Sequence, residues 1–184
     1  MWIFFIILVA IVFLILAYIV STYNGLVKSR NRVRDQFSQI DVQLKRRFDL
    51  IPNLVETVKG YVKHESDTLE KVIQARNSYA NAKTGTDKVV ASNEMSRGVM
   101  NILALAESYP DLKANANFID LQDQLKEVEE KISYARQFYN DTVLIYNNKV
   151  EMFPGNLVAS MLGFTKESFF EANSEERENV QVKF

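Results

Sequence analysis

His64 is the one histidine in the chain, and Glu65 follows it. A His-Glu pair opens the zinc-protease motif, which requires a second histidine four residues after the first. Thr68 stands there instead. The chain has no Cys, which excludes disulfides, thiolate catalysis and Cys-held zinc or iron–sulfur centres. His64 therefore reads as an ordinary helix residue. Glu127, Glu129 and Glu130 make the densest carboxylate group. Glycosidase-type chemistry would need two of them across a shared cleft. Glu127 and Glu130 share a helical face, but they flank an apolar seam in the way salt-bridging residues do. Lys45, Arg46 and Arg47 form a compact basic cluster that could meet phosphate groups or an acidic partner. It lacks the interleaved aromatics of a nucleic-acid surface, and pairing with Asp41, Asp49 or nearby carboxylates is the plainer reading. No serine sits in a nucleophile elbow, and the six glycines are too dispersed for a phosphate loop. Tyr134, Tyr139 and Tyr146 read as packing aromatics. The residues point to no enzyme, no cofactor, no metal and no nucleic acid.

What remains is organisation. The net charge of −1 selects no highly charged partner. Met1 to Val20 carry no charged side chain. About 20 apolar residues in a helix span the roughly 30 Å hydrocarbon core. A cleaved signal peptide would begin basic and end in small residues, whereas Tyr18 and Ile19 stand near the end of this run. It reads as an uncleaved membrane anchor, with Trp2, Phe4 and Phe5 at one interface and Tyr18 and Tyr23 at the other. No Lys or Arg precedes it, while Lys28, Arg30, Arg32 and Arg34 follow. The positive-inside rule then places the N-terminus outside and the rest in the cytoplasm, at the inner membrane. These four residues scatter around a helix, so they read as topology determinants rather than a lipid-binding patch.

Beyond the anchor, Leu26, Val33, Phe37, Ile40, Leu44, Ile51, Val55, Val58, Val62, Leu69 and Val72 follow helical spacing. Pro52 should kink this stretch or start a fresh helix. Lys83 to Thr86 break the pattern, with Thr86 a candidate N-cap. A helix is expected over about 87–108, ended by Tyr109-Pro110-Asp111. Next come Phe118, Leu121, Leu125, Val128, Ile132, Ala135, Tyr139, Thr142, Tyr146, Lys149 and Phe153 in alternating three- and four-residue steps. This heptad seam predicts one helix over 117–152, with Val143 and Val150 replacing the polar entries. Pro154-Gly155 stops it. A short amphipathic helix is expected over 156–162, and Phe164, Phe169 and Phe170 are expected to pack back. The expectation is all-α: a transmembrane helix over 1–20, then an antiparallel bundle of about three long helices with coiled-coil-like packing over 21–171. Residues 172–184 form an acidic tail. In that tail Val180, Val182 and Phe184 alternate with polar residues, a pattern that could add a strand to a partner's sheet.

Ser38 to Glu65, SQIDVQLKRRFDLIPNLVETVKGYVKHE, resembles the central signature of the LemA family. Supporting stretches include Tyr23-Asn24-Gly25-Leu26-Val27 with Arg30-Asn31, Leu69-Glu70 with Ala75-Arg76, and Tyr109-Pro110-Asp111-Leu112-Lys113-Ala114. Phe118 with Leu121-Gln122, Ala135-Arg136, Tyr139-Asn140, Tyr146-Asn147, Phe153-Pro154, Gly163-Phe164 and Phe169-Phe170-Glu171 extend the match over nearly the whole chain. The resemblance implies a bacterial or archaeal membrane-anchored helical protein with its N-terminus outside. It implies no reaction and carries no catalytic set. Some members occur beside membrane proteases or stress-related membrane proteins. The function expected is a membrane-tethered interaction or scaffold protein that binds the bilayer through residues 1–20. Its partners would be proteins: further copies of itself, or a membrane protein such as a protease. A membrane-shaping protein acting by ordered self-assembly is the second reading, and an enzyme with an unrecognised carboxylate site the third.

Overall fold

The computed structural model describes residues 1–62, 65–83 and 85–170. Its regular structure is helical: α1 Trp2–Lys59, α2 Ser66–Asn81, α3 Gly85–Ala106, α4 Pro110–Lys113, α5 Ala116–Glu151 and α6 Gly155–Met161. No strand occurs among the described residues. They divide into two compact units, residues 1–39 with 135–170 and residues 40–134, and α1 and α5 contribute to both.

The 40–134 unit is built on the apolar stripe of α1. Ile40, Leu44, Ile51, Leu54, Val55 and Val58 are buried there with Leu69 and Val72 of α2, Met95 and Ile102 of α3, and Phe118, Leu125, Val128 and Ile132 of α5. α2 and α3 approach closely at Gly98, where a Cβ would stand 2.7 Å from Val72 Cγ2. Asn115 caps α5, its Oδ1 accepting from Phe118 N at 3.0 Å.

α1 does not start afresh at Pro52 but runs through it. A proline at position 52 frees the carbonyl four residues earlier, that of Phe48. Arg76 of α2 takes up that carbonyl, with Nε donating to Phe48 O at 3.3 Å and the guanidinium carbon 4.0 Å from the Phe48 ring centre. The break comes later, after Lys59, where Tyr61 and Val62 both donate to Val58 O.

In the unit formed by 1–39 and 135–170, Leu26 and Val33 of α1 are buried with Tyr139, Val143 and Tyr146 of α5, Val158 and Ala159 of α6, and Phe164 and Phe170. The α5 seam turns as the valines allow: Val143 is buried while Lys149 is exposed. Phe153 leaves the seam and is 79% exposed, because α5 has ended at Glu151. Phe169 is exposed as well, and only Phe164 and Phe170 pack back. Of the three tyrosines expected to pack, Tyr134 lies on the surface. α6 ends at Met161, and the chain turns at Gly163, whose φ of +72° suits a residue without a side chain. Phe164 N then donates to Ala159 O and Gly163 N to Ser160 O, the double closure of a Schellman turn.

Candidate functional site

Lys45, Arg46 and Arg47 point to three different partners. Lys45 Nζ reaches Asp49 at 2.5 and 2.7 Å. Arg46 lies 3.5 Å from Glu127. Arg47 is 1% exposed. Its Nη1 donates to Ser92 O at 3.2 Å and to Ser96 Oγ at 2.6 Å, and its Nη2 pairs with Glu129. The three therefore do not form one exposed basic patch. Glu127 also accepts from Lys131 at 2.5 Å. That bond and the Lys131 charge, then the Arg46 charge, hold its carboxyl below the usual range, the opposite of what a general acid requires. Glu130 is exposed. Asp41 accepts from Tyr79 Oη at 3.2 Å and from Lys88 at 2.8 Å. Burial first, then the Asp41 charge, raises the Tyr79 phenol above its ordinary value. Among the described residues no three metal-ligating side chains gather into a group that could hold an ion. His64, Val180, Val182 and Phe184 lie outside the described residues.

The sequence held one constellation that reasoning on it missed. Tyr139-Asn140 and Tyr146-Asn147 sit two turns apart on α5 and grip the backbone after α6. Asn147 donates to Glu167 O and accepts from Glu167 N, both at 2.9 Å. Asn140 does the same to Phe170, at 3.0 and 2.8 Å. Tyr139 Oη donates to Ser168 O at 3.0 Å and Tyr146 Oη to Thr165 O at 2.8 Å. The geometry has a simple origin. Seven helical steps rise about 10.5 Å, and the three extended steps from Glu167 to Phe170 cover about 10 Å. Each amide thus meets the N–H and C=O of one residue, as a sheet neighbour would. Burial, then the Glu167 charge, raises both phenols. The repeat of an identical dipeptide at heptad spacing was the available signal.

Of the basic residues after the apolar run, Lys28, Arg32 and Arg34 are exposed. Arg30 is half-buried, its guanidinium carbon 4.9 Å from the Phe164 ring centre. Phe164 also meets Tyr23 edge-on at 5.9 Å. Beside them lies an apolar groove of about 320 Å³ between Tyr18, Thr22, Gly25 and Leu26 of α1 and Met152 to Gly155. Lys149 also lines it, and its Nζ donates to Ser29 Oγ at 2.6 Å. A second, polar groove of about 410 Å³ is lined by Asn53, Glu56, Thr57, Asn117, Asp120 and Gln124 with Leu50 and Leu121.

The first part of α1 is long and apolar enough to cross a membrane, and none of its apolar window is buried in the protein. The described residues thus define a helical protein with a candidate membrane span. It belongs to the LemA family, whose profile matches residues 36–184. Protein LemA of Metamycoplasma hominis is 28% identical over 166 residues, covering 89% of this chain and 75% of that protein. Magnetosome protein MamQ 2 of Paramagnetospirillum magneticum is 21% identical over 182 residues, covering 85% of this chain and 67% of that one. Magnetosome protein MamQ of Magnetospirillum gryphiswaldense is 20% identical over 174 residues, covering 80% of this chain and 64% of that one.

Proposed function

We propose that this protein is a single-pass membrane protein whose helical part holds protein partners, or further copies of itself, at the cytoplasmic face. One observation carries the reading. α5 has two apolar faces: the buried seam through Tyr139, Val143 and Tyr146, and an outer face on which Phe138 and Ile145 are exposed. Phe138 and Ile145 are seven residues apart, the spacing of a second helix-packing seam. Exposed large apolar side chains at that spacing mark a contact surface.

The apolar start of α1 supports the anchor. Lys28, Arg30, Arg32 and Arg34 favour a cytoplasmic helical part, N-terminus outside, at the inner membrane. The heptad steps from Phe118 to Tyr146 favour bundle packing of the coiled-coil kind. No catalytic step is part of this reading, and no cofactor.

The test is photo-crosslinking in the membrane, with the reactive side chain at 138 or 145 and the products read by mass spectrometry. Crosslinks to this chain or to another membrane protein are expected at both positions and at much lower yield from exposed Asp123. Equal yields from all three would overturn the outer-face assignment. Regular arrays on lipid in electron micrographs would instead favour ordered self-assembly.

A further inference from the structure

Met152 to Thr165, MFPGNLVASMLGFT, contains no charged side chain. Glu151 and Lys166 fence it, and they pair with each other at 2.6 Å. Inside this fence the usual arrangement is inverted. Val158 and Ala159 of α6 face the protein, while Phe153, Leu157, Met161 and Leu162 are exposed, Leu157 by 63% and Met161 by 66%. Leu157 and Met161 are four residues apart and so share one face of α6.

The place of this segment gives the exposure a meaning. A Cβ at Gly155 would stand 3.9 Å from Thr22 Cγ2 and 3.0 Å from Lys149 O. Met152 to Gly155 line the same groove as Tyr18, Thr22, Gly25 and Leu26. The segment therefore lies beside α1 just after its apolar run ends at Val20. Thr22 and Gly25 are about 3 and 7.5 Å beyond Val20 along the helix. The headgroup zone of one leaflet is about 5–7 Å thick. On α1 the first charge comes only at Lys28, and Lys149 is tied to Ser29, further along still. At the depth of the headgroups both elements are free of charge; α1 exposes Tyr23 there, and the 152–165 segment exposes Phe153, Leu157, Met161 and Leu162.

We propose that α6 and its flanking turns are a second membrane contact. Phe153, Leu157, Met161 and Leu162 lie in the headgroup–acyl boundary of the leaflet from which α1 emerges, as an interfacial amphipathic helix does. The contact makes α1 and α6 two points of attachment, which fixes the tilt of the unit they share. It rests on the reading of α1 as a membrane span.

The absence of Cys makes the test direct. Single cysteines at Leu157 and Met161, both exposed, are labelled with an environment-sensitive fluorophore in the full chain, reconstituted in vesicles with acyl-brominated lipid. Leu14→Cys reports the span, and Asp123→Cys, exposed on α5, reports water. The expected result is blue-shifted emission at 157 and 161, quenched by brominated lipid at least about twofold more than at 123. Quenching at 14 but not at 157 or 161 would overturn the contact and leave the span standing. No quenching at 14 either would overturn both. Blue-shifted emission at 157 without lipid quenching would show that protein, a second copy included, covers α6, and would also overturn the contact.

Discussion

Arg47 is a charge placed inside a helical core, and its surroundings show what it contributes. Its guanidinium holds the Ser92 carbonyl, the Ser96 hydroxyl and the half-exposed carboxylate of Glu129. A buried ion is costly unless its donors are all used. Its aliphatic stem also fills space between α1 and α3. Arg47→Ala removes both contributions and should cost about 2–4 kcal/mol in a urea melt. Arg47→Met keeps the volume and needs no bond, so it should cost less than about 1.5 kcal/mol. Equal losses for the two variants would mean that the hydrogen bonds, not the packing, dominate. The buried phenols give a second test. Tyr79, Tyr139 and Tyr146 are all shifted upward, burial being the first cause of each. A raised phenol keeps its stabilising effect below the unfolded value, about 10, and loses it as pH rises above that. Alkaline unfolding should therefore begin above about pH 10. The phenolate absorbance of these tyrosines should appear together with the loss of helix signal. Smooth ionisation of all tyrosines before any unfolding would contradict their burial.

Among the elements, α1 shows how a local rule yields to a distant partner. Pro52 frees Phe48 O, and Arg76 supplies the donor. Arg76→Ala should cost about 1–2 kcal/mol. In a Pro52→Ala background the restored N–H at residue 52 can bond Phe48 O, so the same change should cost about 1 kcal/mol less. Strict additivity of the two changes would refute the rescue. This also marks the limit of what the sequence made legible. The helices were readable from apolar spacing, because burial of one face sets that spacing: α3, α5 and α6 fall within two residues of expectation. The continuation through Pro52 was not, since it depends on a residue 24 positions away in another helix. Arg47 belongs to a basic run in sequence, yet it occupies the gap between Leu44 and Ile51 on the apolar stripe. Its position, not its charge, is the better guide. The Tyr-Asn pairs carry part of the family resemblance, but their use as backbone clamps depends on a segment that returns along α5 only after the turn at Gly163.

At the scale of the molecule, the proposed function joins the charge-free apolar start of α1 to an exposed apolar face of α5. α1 runs unbroken from exposed apolar residues to buried ones, so no flexible linker separates the anchor from the folded part. In the proposed topology this helix crosses the membrane and leaves the helical part in the cytoplasm. Labelling with a membrane-impermeant maleimide tests it most directly, with Asp123→Cys, exposed on α5, as the single thiol. No labelling is expected in intact cells, and full labelling in inside-out vesicles that have been washed in alkaline carbonate. Labelling from outside intact cells, or release of the chain by the carbonate wash, would contradict it.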